Sequence, residues 1–282
     1  MNSHAYAEPA PSLPEIPLAG GDVTEGVVRV GDTVRRPVGP NSPFVHALLR
    51  HLEAVGFPGA PRFLGIDAGG REVLTYLPGE VAGRPRPAWL ADEKRLASVG
   101  RLVRDYDDAV AGFVPPEGVR PETGYAEAPG TPPLPPYPPE VTGHMDYTPD
   151  NIVFRGGEAA ALIDFDLAKP VTRVDEAVNA MLYWAPLGDP ADADPLLREV
   201  DVPRRCRILA DAYGMSDVDR SRVVEVAVLR SRRSWFLMKQ AAEEQGGGWA
   251  RMWDEGVGDR IKRREAWLDR NGPAIDAALK AP

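Results

Sequence analysis

The chain has few of the groups on which several enzyme classes depend. Among 282 residues there is one cysteine, Cys206, and four histidines, His4, His46, His51 and His144. A single thiol excludes an internal disulfide and fits a reducing cytoplasm, and the scattered histidines form no zinc-ligand pattern. There is no Gly-x-x-x-x-Gly-Lys-Ser/Thr phosphate loop and no Gly-x-Ser-x-Gly nucleophile elbow. No apolar run approaches the ~18 residues needed to span a bilayer. The N-terminus lacks the basic start and apolar core of a signal peptide. Basic residues are outnumbered 33 to 42, for a net charge of −9. That balance argues against a nucleic-acid partner and is compatible with a cationic small-molecule substrate. No internal repeat is visible, and nothing in the sequence marks an oligomeric state.

Proline is abundant, at 30 residues, and concentrates near the N-terminus and between Pro115 and Pro139. The length suits one large domain or two lobes with an ample core. The most informative stretch runs from Gly143 to Ala168 and holds two polar clusters, His144-x-Asp146-x-x-x-x-Asn151 and Ile163-Asp164-Phe165-Asp166. Between them Ile152 to Phe154 is apolar and β-prone, Arg155 to Glu158 is a turn, and Ala159 to Ile163 is apolar again, the pattern of a hairpin. A hairpin of that length brings Asp146 and Asn151, before it, close to Asp164, after it. Two carboxylates at about 4 Å repel by roughly 4 kcal/mol at an effective dielectric of 20, and a dication between them reverses that sign. Oxygen donors of the Asp and Asn type suit Mg²⁺, which shares its remaining positions with water and phosphates.

These two motifs, at this spacing, resemble the catalytic and metal-binding loops of the aminoglycoside phosphotransferase-like kinases, relatives of choline kinases and, more distantly, of protein kinases. The resemblance implies a two-lobed α+β fold of the protein-kinase type, with a small antiparallel sheet and a larger, mostly helical lobe. It implies that Asp146 accepts the proton of a substrate hydroxyl, that Asn151 and Asp164 hold Mg²⁺ against the phosphates of ATP or GTP, and that His144 braces the loop. Met145 stands where related chains mostly carry Gly or Asn, and Asp166 replaces the Gly of the protein-kinase motif.

Along the chain, residues 1–18 read as an extended tail, 19–77 as the nucleotide-binding lobe, and 78–282 as the catalytic and acceptor-binding lobe. Gly21 and Gly26 bracket a polar turn that reads as the loop covering the nucleotide. The strand Thr33 to Pro37 lies where the family places its phosphate-binding lysine. Here only arginines are available, of which strand alternation sends one inward; its position relative to Val34 favours Arg35. Pro43 to Val55 reads as a helix capped by Ser42. It lacks the early Glu that braces the lysine in related kinases, and His46, in that place, reads as a surface residue ahead of the alternative, a substitute polar contact. Thr75, Tyr76 and Leu77 resemble the connector whose backbone meets the nucleotide base.

Apolar spacing from Ala88 to Phe113 marks a core helix. After the metal loop, the resemblance assigns Asp175 to anchoring the catalytic loop through backbone hydrogen bonds. The remainder is helical, with Glu243, Glu244, Trp249, Trp253, Asp254 and Glu255 as a candidate acceptor wall. The expected function is transfer of a γ-phosphoryl group to a hydroxyl of a small molecule, an aminoglycoside or other antibiotic in one reading. The alternatives are a metabolic kinase for an amino alcohol or sugar, and a nucleotide-binding module with little transfer activity.

Overall fold

A computed structural model describes residues 13–18, 26–122 and 128–281. The small lobe is one five-stranded antiparallel sheet. Its strands are β1 (Glu15–Pro17), β2 (Val28–Val30), β3 (Thr33–Pro37), β4 (Phe63–Ile66) and β5 (Arg71–Thr75), in the order β1-β2-β3-β5-β4. The turn at Gly31-Asp32 closes β2 onto β3, as the sequence predicts, and Gly31 takes φ +59° there. The tail expected up to residue 18 is shorter than the sequence implies: Glu15 pairs with Val30 and Pro17 with Val28. Proline is tolerated in β1 because it is the edge strand.

Helix α1 (Ser42–Ala54) packs Phe44, Leu48, Leu49 and Leu52 into the core. Its N-cap is Asn41 rather than Ser42, which instead accepts a hydrogen bond from the Gly39 amide at 2.9 Å. Asn41 leaves the cap unmade because its side-chain oxygen accepts from the Glu122 amide at 2.9 Å, while its nitrogen donates to the carbonyls of Asp166 and Ala168 at 2.9 and 3.2 Å. The start of α1 is thereby tied to the large lobe.

The chain crosses between lobes at residues 76–80 and docks on the hairpin of the large lobe. Glu80 and Phe154 exchange backbone hydrogen bonds of 2.9 and 2.7 Å. Gly79 permits this approach: at φ +153° a Cβ there would stand 2.3 Å from Val153 and 2.7 Å from the Phe154 carbonyl.

In the large lobe a 3-10 turn at Ala88–Ala91 precedes α2 (Glu93–Val110), because Asp92 caps the Lys94 amide and starts the helix there. Leu96, Val99, Val103, Tyr106 and Val110 form its buried stripe. Strand β6 (Val141–Gly143) pairs with β9 (Lys169–Val171), and β7 (Ile152–Arg155) with β8 (Glu158–Leu162). Helices α3 (Arg173–Trp184), α4 (Val202–Tyr213), α5 (Asp217–Glu244), α6 (Gly247–Asp254) and α7 (Val257–Lys280) complete the lobe. The helical pattern breaks at Gly246 and again at Gly256, and Pro273 lies inside α7. No helix among the described residues is long and apolar enough to cross a membrane.

Candidate active site

The two polar clusters flank the β7–β8 hairpin, and its fold brings them together. Asn151 donates its side-chain amide to the Asp146 carboxylate at 2.8 Å and to the Asp146 carbonyl at 3.1 Å. The Ile163 amide donates to the Asn151 carbonyl at 3.0 Å, which sets Asp164 beside this pair. Burial raises the Asp146 pKa to about 7, and the charge of Asp164 adds to the shift. Two carboxylates are thus held within electrostatic reach of each other.

His144 joins the two loops. The Asp146 amide donates to its Nδ1 at 3.2 Å, and its Nε2 lies 3.0 Å from the Ile163 carbonyl. Those partners require a neutral ring with its proton on Nε2. Burial agrees, lowering the His144 pKa to about 4. The ring is fully buried and packs against Tyr147 and Phe165.

The loop is anchored from below by Glu176, not by Asp175. The Glu176 carboxylate accepts from the His144 amide at 2.9 Å, from the Met145 amide at 3.1 Å, and from the Tyr147 hydroxyl. Asn179 adds two bonds, accepting from the Tyr147 amide at 2.9 Å and donating to the Met145 carbonyl at 2.8 Å. Asp175 is engaged elsewhere, in a reciprocal capping box with Thr172 at the start of α3. That role was readable from Thr172-x-x-Asp175, a spacing that marks helix starts. Gly143 makes room for Glu176: a Cβ there would lie 2.4 Å from its Oε1 and 2.4 Å from Val171. Met145 bends the loop at φ +65°, a region where the Gly or Asn of related chains costs less.

On the small lobe, Arg36 rather than Arg35 faces these loops. Arg36 is 8% exposed and pairs with Glu72 at 2.9 Å, with Asp164 at 3.1 Å, and with Asp166. Arg35, on the other face of β3, turns to Asp67 at 3.8 Å. Glu72 is the cross-strand partner of Arg36 on β5. It supplies the counter-charge for which α1 has no glutamate. His46, expected at the surface, stacks on Phe63 and lies 2.5 Å from Glu72. Burial raises the Asp166 pKa, an effect that the Arg36 charge opposes.

Other expected residues lie apart from this cluster. Gly21 falls outside the described residues, whereas Gly26 is described and has φ +80°. In the connector, the amides of Thr75 and Tyr76 already donate to the Arg62 and Asp32 carbonyls at 3.0 and 2.8 Å. Of the candidate acceptor wall, Glu243 pairs with Lys239 at 3.8 Å and Glu244 accepts from Gln240 at 3.0 Å, both within α5. Trp253 packs edge-on against Trp235. Trp249, Asp254 and Glu255 lie on or just beyond α6, the two acids being exposed.

No group of three or more His, Cys, Asp or Glu side chains suited to a metal is present among the described residues. Asn151 and Asp164 nevertheless fit Mg²⁺, which typically takes one or two protein oxygens and fills its other positions from water and phosphate. Asn151 uses its nitrogen on Asp146, which leaves the amide oxygen as its donor, and the Asp164 side chain is 35% exposed.

A sheet-based small lobe, a helical large lobe and an Asp–Asn–Asp cluster between them define the class of two-lobed kinase-like phosphotransferases. The chain belongs to the phosphotransferase enzyme family, whose family model matches residues 131–209. It is 36% identical over 234 residues, 82% of this chain and 83% of the relative, to the trifolitoxin immunity protein of Rhizobium leguminosarum bv. trifolii. Solved structures share the fold. An aminoglycoside 2'-phosphotransferase-IIIa in complex with GDP has a TM-score of 0.59 at 14% identity, with 93% of this chain and 94% of that one covered. A choline/ethanolamine kinase family protein from Mesorhizobium loti has a TM-score of 0.58 at 17% identity, covering 98% and 94%. An amicoumacin kinase solved with AMP-PNP and Ca²⁺ has a TM-score of 0.57 at 12% identity, covering 91% and 88%.

Proposed function

We propose that this protein transfers the γ-phosphoryl group of ATP or GTP to a hydroxyl of a small toxic compound, in the cytoplasm. The observation that carries the reading is the Asp146–Asn151 contact at 2.8 Å with Asp164 and Arg36 beside it. The acceptor oxygen attacks the γ-phosphorus, the bond to the β-phosphate oxygen breaks, and the nucleoside diphosphate leaves. The hydroxyl proton passes to the Asp146 carboxylate, whose raised pKa near 7 suits a proton acceptor at neutral pH. Asn151 fixes the orientation of that carboxylate, and Glu176, Asn179 and His144 fix the backbone that carries it. Arg36 lies where a phosphate oxygen can replace a carboxylate in its fork.

Mg²⁺, held by Asn151 and Asp164, would neutralise phosphate charge as it does throughout phosphoryl transfer. Catalysis in this scheme is mainly positioning and charge compensation. A toxin or antibiotic as acceptor is supported by the relative named for immunity to trifolitoxin and by a fold shared with an aminoglycoside phosphotransferase and an amicoumacin kinase. The test is a screen of hydroxyl-bearing toxins, antibiotics, amino alcohols and sugars with nucleotide labelled at the γ-position. Label transferred to a toxin or antibiotic is the expected result. Label transferred only to amino alcohols or sugars assigns a metabolic kinase, and nucleotide binding without transfer to any class overturns the reading.

A further inference from the structure

The large lobe carries a second group of charges beside Asp146, and they are cations. Arg230 lies on α5 in register with the buried stripe Val223, Val226 and Ala227, where an apolar residue is the usual occupant. Its Nε is buried and has no hydrogen-bond partner. Arg230 lies within electrostatic reach of Asp146 and Glu176 and of Lys169, Tyr183 and Arg264. Lys169 begins β9, Tyr183 is near the end of α3, and Arg264 lies on α7, so three elements besides α5 contribute to one cluster.

No ion pair is formed by Arg230, Lys169 or Arg264 among the described residues. The acids that face them are all engaged. Asp146 accepts from Asn151. Glu176 accepts from two backbone amides and the Tyr147 hydroxyl. Asp175, which faces Lys169, closes the Thr172 capping box. Asp192, which faces Arg264, is held by Arg263 through contacts of 2.8 and 2.5 Å. Burial and the neighbouring arginines push the Lys169 pKa down to about 8. Asp146 and Glu176 offset part of the repulsion among these cations through space, but no carboxylate meets the Arg230 guanidinium directly, and a bound anion would supply that contact.

We propose that Arg230, with Lys169 and Arg264, binds an anionic group, carboxylate or phosphate, on the acceptor that presents its hydroxyl to Asp146. This rests on the reading of Asp146 as the residue facing the acceptor. It reverses the expectation of a cationic acceptor drawn from net charge: the protein is acidic as a whole, but the surroundings of Asp146 on this side are basic. A multiply cationic acceptor meets repulsion here, whereas a hydroxyl compound with a carboxylate is drawn in.

The probe is inorganic sulfate, titrated by calorimetry onto protein saturated with Mg²⁺ and a non-hydrolysable ATP analogue. Saturable binding is expected, weakened about tenfold or more in Arg230→Gln. It should be unchanged in Arg101→Gln, whose side chain pairs with Glu158 on an exposed face. No saturable sulfate binding by the loaded protein overturns the proposal. If the protein does not bind nucleotide, the transfer reading fails by itself, and the same titration of the free protein still decides the anion site.

A second arm compares hydroxyl acceptors as matched carboxylate and amide pairs. The expected result is turnover of the carboxylate members, with Arg230→Gln raising their KM about tenfold while leaving nucleotide KM within about twofold. A rise confined to nucleotide KM assigns the anion as the γ-phosphate and overturns the acceptor assignment. Melting separates a purely structural role. Arg230→Gln should melt close to the wild-type temperature, because its guanidinium makes no ion pair that the substitution would break, and a large fall contradicts the proposal.

Discussion

Arg36 and Arg230 each carry a guanidinium into the neighbourhood of the Asp146 loop, one from the small sheet and one from the helical lobe. Arg36 is surrounded by carboxylates: Glu72 across the strand and Asp164 and Asp166 on the loop after β8. Arg230 has no such partner, and its carboxylate neighbours are engaged elsewhere. A compensated buried charge fixes geometry, because moving it breaks several bonds at once. A guanidinium with no direct partner is available to a ligand. On the proposed reading the nucleotide side is a preformed frame, and the acceptor side offers an arginine that no carboxylate yet meets.

The sharpest way to break the frame is Arg36→Met. It strands Glu72, Asp164 and Asp166 together, and loss of one partner from a buried ion pair costs about 3–5 kcal/mol. Urea unfolding should register that loss. Arg36→Lys should recover part of the stability, whereas Arg35→Gln, which removes only the partly exposed contact to Asp67, should cost under about 1 kcal/mol. Equal effects at the two positions would contradict the assignment of Arg36 as the inward residue.

The loop anchor gives the next effect. Each Glu176 oxygen accepts a backbone amide, so Glu176→Gln turns an amide nitrogen toward an N–H donor and should cost about 3 kcal/mol. Asp175→Ala removes a helix cap and should cost only about 1 kcal/mol. Turnover should fall with Glu176→Gln and stay within about tenfold of wild type with Asp175→Ala, since a cap loss below ~1.4 kcal/mol is under a tenfold effect. A reversed order would restore Asp175 as the anchor.

A smaller effect depends on pH. Burial lowers the His144 pKa from 6.5 to about 4. The unfolded chain therefore takes up the proton first as pH falls. The stability from a neutral His144 is complete above pH 6.5 and is lost progressively down to about pH 4. Between pH 7 and 5 the loss is about 2 kcal/mol, at 1.36 kcal/mol per pH unit below 6.5. His144→Gln should show a smaller difference between those two pH values in urea unfolding. An unchanged difference would mean that His144 is not the titrating group.

The legibility of this chain follows the range of the interactions. Asp146, Asn151 and Asp164 could be read because a hairpin of fixed length joins them, so sequence spacing and spatial distance coincide. The helical character of the chain after α3 was equally plain, and α5 (Asp217–Glu244) is its longest part. Strand β3 gave the alternation but not the face, because whether Arg35 or Arg36 points inward depends on packing against a lobe more than 100 residues away. Glu72 was overlooked for the same reason. It meets Arg36 through the register of β3 with β5, which no local pattern encodes. Asp175 was one residue off because the capping box at Thr172 went unused as a signal. The acidic and aromatic wall on α5 and α6 rests on resemblance and not on spacing, and Glu243 and Glu244 make local pairs on α5. Arg230 carries no motif, and only its place on a buried stripe beside Asp146 sets it apart.

The central claim, that Asp146 takes the acceptor proton while its neighbours hold the nucleotide, is tested most directly by one variant measured twice. Asp146→Asn keeps the shape of the side chain and removes its basicity. The account predicts that Mg²⁺–nucleotide binding measured by calorimetry stays within about threefold of wild type, while transfer of labelled phosphate falls at least about a hundredfold, as expected for loss of general-base catalysis. Transfer at the wild-type rate, or loss of nucleotide binding in the same variant, would contradict it.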